Sequence, residues 1–108
     1  MGDEVRNLWD ANTLQNGHRK IYLTIKYLND RKRFEKARWL PALSRTKLPL
    51  HLCWGDQDAV AVIAMAHHLK EKVCPQATLT VMEGLGHFGQ WGNPEKWVEA
   101  VGGFYRAN

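Results

Sequence analysis

The order of apolar and polar positions divides the chain into a helical first part and a second part in which strands and helices alternate. From residue 17 to about residue 43 helix-forming residues predominate, no proline precedes Pro41, and apolar side chains recur at helical spacing. Asn29 or Asp30 is a candidate cap for a second helix within this stretch. We therefore expect a helical hairpin or a bent pair of helices, preceded by a short amphipathic turn around residues 5–9.

The second part contains two short runs that are typical of strands, separated and followed by helices. Residues 48–54 form a largely apolar run, and residues 77–82 are rich in β-branched side chains, so each predicts a strand. Between them, residues 61–72 place apolar side chains at the i, i+3, i+4 and i+7 positions of an amphipathic helix. The last helix is predicted to begin with Asn93 as its cap and Pro94 at its first position.

A strand, a helix and a second strand joined by a crossover of this length predict parallel strands with helices on the faces of the sheet. A parallel sheet needs more than two strands, because its edges must be paired and its faces covered. We therefore predict an α/β fold in which this chain is the last part of a larger sheet, or pairs with another chain. The predicted organisation is a helical segment at 1–46 and a βαβα portion at 47–108.

Composition and length narrow the class of protein. A chain of 108 residues that is 44% hydrophobic and 24% charged indicates one globular domain or a part of one, and excludes a disordered chain. The longest apolar stretch is eight residues, 59–66, whereas a membrane-spanning helix needs about 20. The acidic start lacks the order of a secretory signal, which favours an intracellular location. Cys53 and Cys74 are expected to be reduced thiols.

The positive charge of the chain is concentrated in one segment. Residues 18–38 carry a net charge of +6, although the whole chain carries +4. A solvated helix face is the ordinary interpretation, and binding to phosphate or to an anionic surface is the alternative. The segment has no Gly-rich turn of the kind a nucleic-acid module uses, so nucleic acid is not an expected partner and membrane binding stays open.

Side chains suited to acid–base chemistry follow both predicted strands. Asp56 and Asp58 come directly after the first strand and His87 follows the second. Ligands of parallel sheets bind beyond the carboxyl ends of the strands, and a carboxylate that accepts the Nδ1 proton of a histidine orients it as a base. Asp58 and Asp56 are both candidates for this acid. The alternative for Asp58 is a turn residue that caps the following helix.

The motifs around these residues resemble the C-terminal end of the α/β-hydrolase family. They read W-G-D-Q-D at 54–58, G-L-G-H at 84–87 and N-P-E at 93–95. The family orders its catalytic residues as nucleophile, acid and histidine. The resemblance, which covers about residues 47–106, implies that Asp58 and His87 are the acid and the base of a catalytic triad.

The helical first part is similar to the end of the lid of these hydrolases. Within the family, N-D-R-K-R-F at 29–34 and R-W-L-P-A-L at 38–43 resemble the mesoderm-specific transcript branch, which is close to the epoxide hydrolases. No cofactor and no metal is implied. His67 and His68 are adjacent on a helix and point about 100° apart, so they are expected to be surface residues rather than a chelating pair.

The nucleophile that such a pair would activate is missing from the 108 residues. No G-x-S-x-G or G-x-D-x-G motif occurs, and Ser44, which lacks flanking glycines, is interpreted as a helix-end residue. Trp54, Phe88 and Trp91 flank the predicted site and are candidates for substrate binding, with ordinary packing as the alternative.

Two classes of function follow from the sequence. The first is a hydrolase by descent that acts on an ester, an epoxide or a related bond of a small-molecule substrate. The second is a truncated, non-catalytic module that binds a partner through its open sheet edge and basic helices. Because the predicted sheet is incomplete, the expected partners are a second copy of the chain or the missing N-terminal part of the fold.

Overall fold

The computed structural model describes residues 2–108, which form two compact units that divide between Trp39 and Leu40. The first unit is made of helices and comprises α1 (Asp3–Thr13), a 3-10 segment (Leu14–Lys20), α2 (Tyr22–Phe34) and a π-helical turn (Glu35–Trp39). The second unit comprises α3 (Leu40–Arg45), β1 (His51–Gly55), α4 (Ile63–His68), a π-helical turn (Leu69–Val73), β2 (Thr78–Met82), α5 (Gly89–Gly92) and α6 (Pro94–Ala107). Within residues 2–108, none of the helices combines the length and the apolar character that crossing a bilayer requires.

The break in the first unit lies earlier than the predicted helix cap. Gln15 and Asn16 adopt left-handed backbone angles, with φ of 52° and 60°, and they separate α1 from the helical residues that follow. The later helix, α2, runs without interruption through Asn29 and Asp30, so the prediction that one of them caps a helix was wrong. The penalty for Asn or Asp inside a helix is at most about 0.7 kcal/mol, and the good helix formers around them outweigh it. The short turn expected around residues 5–9 is part of the 11-residue helix α1.

The second unit has the predicted parallel pair of strands. β1 and β2 are hydrogen-bonded neighbours in a two-stranded parallel sheet, in a register that pairs His51 with Thr78 and Gly55 with Met82. α4 packs on β1, and α6 contacts both strands. The predicted fold class is therefore confirmed: the part of the chain at 2–108 is helix-rich and holds two parallel strands flanked by helices, an incomplete α/β fold.

A small core holds these elements together. The buried apolar residues lie on α4, in the connection that leads to β2, at the end of β2 and in the loop that follows; they are Ala66, Cys74, Ala77, Met82 and Leu85. The last helix begins as predicted, because the Asn93 side chain accepts a hydrogen bond from the amide of Lys96 at 3.0 Å and Pro94 occupies the first turn.

The carboxyl end of β1 approaches the backbone of the loop after β2 more closely than a side chain would allow. A Cβ atom on Gly55 would lie 2.3 Å from the carbonyl oxygen of Leu85 and 2.8 Å from that of Gly86. Backbone atoms cannot move aside as a flexible side chain can, so glycine is required at this position. This contact brings the loop that follows β1 against the loop that follows β2.

We expect Gly55→Ala to destabilise the chain by about 1–3 kcal/mol or more, because the new methyl group overlaps two carbonyl oxygens. The measurement is the free energy of unfolding from urea denaturation. Gly86→Ala is the matched control in the same pair of loops, since its Cβ would meet nothing closer than the Gln57 carbonyl oxygen at 3.8 Å. Equal stability of the two variants would contradict the close approach.

Candidate active site

The structure brings Asp58 and His87 together at the carboxyl edge of the sheet. Asp58 lies in the loop that follows β1, and His87 lies in the loop that follows β2. Because the strands are parallel and pair Gly55 with Met82, both loops leave the sheet at the same edge. His87 Nδ1 and Asp58 Oδ2 are 2.9 Å apart, a hydrogen-bond distance. The two sequence-predicted residues therefore form a pair.

The other carboxylate oxygen of Asp58 organises its own loop. Oδ1 accepts hydrogen bonds from the amides of Val60 and Ala61, each at 2.8 Å. The side chain of Asp58 is 8% exposed, whereas that of His87 is 46% exposed. Asp58 therefore has both of the roles considered for it: Oδ1 stabilises the turn, and Oδ2 is the partner of the histidine.

The surroundings of Asp58 favour its ionised form. Desolvation is the largest single influence and opposes ionisation, but the hydrogen bonds from His87, Ala61 and Val60 together outweigh it, so the pKa of Asp58 lies below its usual value. The carboxylate is then charged at neutral pH. A charged carboxylate on Nδ1 can hold the imidazole in one tautomer and stabilise the imidazolium that forms when the ring takes a proton.

The pair borders a cavity of about 230 Å³. Its walls come from the end of β1, the two loops, α5 and α6, and its lining residues are Cys53, Trp54, Gly55, Asp58, Ala61, Met82, Gly86, His87, Gly89, Gln90 and Trp97. The indole Nε1 of Trp54 donates a hydrogen bond to the carbonyl oxygen of Ala61 at 2.6 Å, which fixes this aromatic wall to the loop of Asp58. Both members of the pair therefore face the same open space.

The three aromatic candidates occupy different positions. Trp54 lines the cavity. The ring of Phe88 lies edge-on to the imidazole of His87, with centroids 5.4 Å apart and an interplanar angle of 79°, and its residue is exposed. Trp91 lies on α5 and is also exposed, and it is not among the residues that line the cavity.

Several residues that line the cavity were not predicted from the sequence to be part of the site. Cys53 lies two positions before Gly55, and its Sγ contacts Met82 Sδ at 3.6 Å across the two strands. Burial raises the pKa of the Cys53 thiol, which keeps it protonated. Trp97 reaches the cavity from the apolar stripe of α6. Alternation along β1 and the period of α6 place such residues in a core, but neither pattern shows that the core borders a cavity.

Two other polar side chains of this unit, those of Ser44 and His51, make structural contacts. The Ser44 hydroxyl donates to the carbonyl oxygen of Val73 at 2.6 Å, near the end of α3. His51 Nε2 lies 2.8 Å from the Thr80 hydroxyl, and its ring stacks on Phe104 at 5.0 Å. Across residues 2–108, no three His, Cys, Asp or Glu side chains gather in a way that could hold a metal ion.

The lowered pKa of Asp58 gives a test of the pair. We expect the Asp58 carboxyl carbon to titrate below the ordinary value of ~3.9 in the folded chain, and to move up towards that value in His87→Ala, which removes one hydrogen bond. Carbon-13 NMR titration measures both midpoints. His67→Ala, which removes an exposed imidazole from α4, is the control and should leave the midpoint unchanged.

The same shift predicts the direction of a pH effect on stability. Since the folded state lowers the pKa of Asp58, the stabilisation it brings is fully present above about pH 4, near the unfolded pKa, and is lost as the pH falls through the lower folded value. A midpoint for Asp58 that is the same in the wild type and in His87→Ala would contradict the hydrogen bond on which this stabilisation depends.

Comparison with known proteins places the chain beside two groups of relatives. It is 28% identical over 102 residues to the mesoderm-specific transcript homolog protein of Bos taurus, a match that covers 94% of this chain and 30% of the relative. It is 26% identical over 102 residues to the Mus musculus protein, with the same coverage. It is 33% identical over 98 residues to the Mycobacterium tuberculosis protein named "Putative hydrolase LipZ", a match that covers 91% of this chain and 33% of LipZ.

The chain thus spans about a third of the length of the curated relatives it matches. No family model matches it. No solved structure matches it either. At low identity over most of its own length, the chain is similar to mesoderm-specific transcript proteins and to LipZ, and this similarity agrees with the resemblance to α/β-hydrolases that its sequence predicts.

Proposed function

We propose that this chain carries the acid–base half of a hydrolase active site, with Asp58 as the acid and His87 as the base. The observation that supports the proposal is the 2.9 Å hydrogen bond between the two side chains beside a cavity at the carboxyl edge of the sheet. The relationship to LipZ and to the mesoderm-specific transcript proteins supports hydrolysis as the class of reaction.

The proposed mechanism follows from the two nitrogens of the imidazole. The N–H at Nδ1 donates a hydrogen bond to Asp58 Oδ2, so the lone pair of Nε2 is left to accept a proton from a hydroxyl nucleophile or from water. If the oxygen belongs to water, it attacks the carbonyl carbon of an ester or a ring carbon of an epoxide directly. If it belongs to a hydroxyl nucleophile, it attacks the ester carbonyl, and a water molecule activated by His87 in the same way then releases the acyl group. His87 then returns the proton to the departing oxygen, while the carboxylate of Asp58 stabilises the transient imidazolium.

The nucleophile in this proposal comes from outside the 108 residues. Ser44 is the only serine in the sequence, and no nucleophile motif surrounds it. Its hydroxyl group donates a hydrogen bond to the backbone carbonyl oxygen of Val73. The matched relatives are about three times longer than the match itself. Oxyanion donors would come from the same additional polypeptide.

A non-catalytic interaction module is the second candidate. The sheet has two strands, so within the described part of the chain each strand has one edge without a neighbouring strand. On α2, Tyr22 and Ile25 are more than half exposed, which is unusual for apolar side chains that have found their packing partners. A chain that binds a partner through these surfaces needs no reactive imidazole, and this difference separates the candidates.

Hydrolysis of p-nitrophenyl acetate tests the proposal directly. Imidazole promotes the hydrolysis of this activated ester either as the base for water or as a nucleophile that forms a short-lived acetylimidazole, so no further enzymic nucleophile is needed. We expect the chain to raise the rate above that of buffer, and we expect His87→Ala to lose the excess, because proton transfer by a positioned side chain is typically worth about 10²–10⁴-fold in an assembled site and less in an incomplete one.

The control is His67→Ala, because an exposed imidazole on α4 can also hydrolyse activated esters without any site. The excess rate should survive this substitution. An excess that persists in His87→Ala, or one that His67→Ala removes, would show that His87 is not the base, and it would favour the interaction module.

A further inference from the structure

The Asp56 side chain joins the two loops that carry the Asp58–His87 pair. Asp56 lies in the loop after β1, two positions before Asp58, and its Oδ1 accepts a hydrogen bond from the amide of Gly84 at 2.8 Å. Gly84 lies in the loop after β2, three positions before His87. Hydrogen bonds to a carboxylate are roughly twice as strong as those between neutral groups, so this one is well suited to fix a loop.

Two backbone hydrogen bonds join the same two segments beside this contact. The amide of Asp56 donates to the carbonyl oxygen of Met82 at 3.3 Å, and the amide of Gln57 donates to that of Leu85 at 2.9 Å. Gly84 itself adopts φ of +77°, a left-handed turn that glycine accepts readily. The carboxylate of Asp56 thus holds the amide of the residue at which the chain turns away from β2 towards His87.

The imidazole of His87 depends on this loop because few other contacts hold it. Its side chain is 46% exposed. Its defined side-chain contacts are the hydrogen bond to Asp58 and the edge of the Phe88 ring, which is itself exposed. The position of the backbone at residues 84–87 therefore determines whether Nδ1 reaches the carboxylate of Asp58.

We propose that Asp56 is a positioning residue for the Asp58–His87 pair, which it serves by fixing through the Gly84 amide the turn that presents His87. A catalytic effect of Asp56 rests on the proposed function. The loop geometry itself can be measured without any substrate. Asp56 acts here as an acceptor that joins two loops, in contrast to its alternative role as the acid of the pair.

The experiment uses the 108-residue chain and two substitutions that differ in one property. Asp56→Ala removes the acceptor, whereas Asp56→Asn keeps an Oδ1 that can accept from Gly84. The readouts are the carbon-13 titration of the Asp58 carboxyl group, the nitrogen-15 signal of His87 Nδ1, and amide exchange at Gly84. We expect Asp56→Ala to move the Asp58 midpoint upwards as His87→Ala does, and we expect Asp56→Asn to restore most of the wild-type value.

Ser44→Ala is the control for a general loss of stability. It removes a hydrogen bond to Val73 in the same unit, on elements that do not include either loop, and it should leave the Asp58 midpoint unchanged. An unchanged midpoint in folded Asp56→Ala, or an Asp56→Asn variant that behaves like Asp56→Ala, would overturn the positioning role. If Asp56→Ala does not fold, rapid exchange of the Gly84 amide in the wild type would overturn it equally, and protection there together with the Asp56→Asn result would support it.

These outcomes are separate from the fate of the proposed function. If ester hydrolysis persists in His87→Ala while Asp56→Ala still shifts the Asp58 midpoint, the positioning geometry stands and the catalytic assignment fails. If hydrolysis depends on His87 but Asp56→Ala shifts nothing, the catalytic assignment stands and the role of Asp56 fails. Where both hold, the excess rate falls in Asp56→Ala and returns in Asp56→Asn.

Discussion

The close approach of two backbone segments at Gly55 is the constraint on which the candidate site depends. The end of β1 lies against the Leu85 carbonyl, at a distance that excludes any side chain. The parallel register then places the Asp58 and His87 loops on one edge, and a backbone hydrogen bond from the Gln57 amide to the Leu85 carbonyl oxygen keeps them in contact. The position of the Asp58–His87 pair therefore depends on a backbone packing requirement.

The pair that results is asymmetric. The side chain of Asp58 is almost fully shielded and its carboxylate accepts three hydrogen bonds, whereas the imidazole of His87 is half exposed and lightly packed. A shielded carboxylate keeps its charge and geometry constant, because solvent competes little for its oxygens. An exposed imidazole can exchange protons with what enters the cavity. The division suits an orienting group and a proton carrier, respectively.

Much of this arrangement could be predicted from the sequence, for identifiable reasons. Strand-like runs that end at Gly55 and Met82 fix the loops that hold Asp58 and His87, and parallel pairing brings those loops together. The helix break at Gln15 and the continuity of α2 through Asp30 could not be predicted, because helix propensities there differ by little. The cavity was missed for another reason, since whether apolar residues pack tightly or leave a space depends on three-dimensional contacts that no local pattern encodes.

The two roles of the Asp58 carboxylate affect which substitutions a site of this kind can accept when selection for activity is lost. One oxygen anchors the loop through two amides, and the other serves the histidine. A descendant under selection for folding alone would still retain an acceptor at this position, so asparagine or serine could replace the acid while the backbone stayed in place. An oxygen-bearing residue after β1 is therefore evidence of loop architecture, and it becomes evidence of activity only together with a histidine within reach.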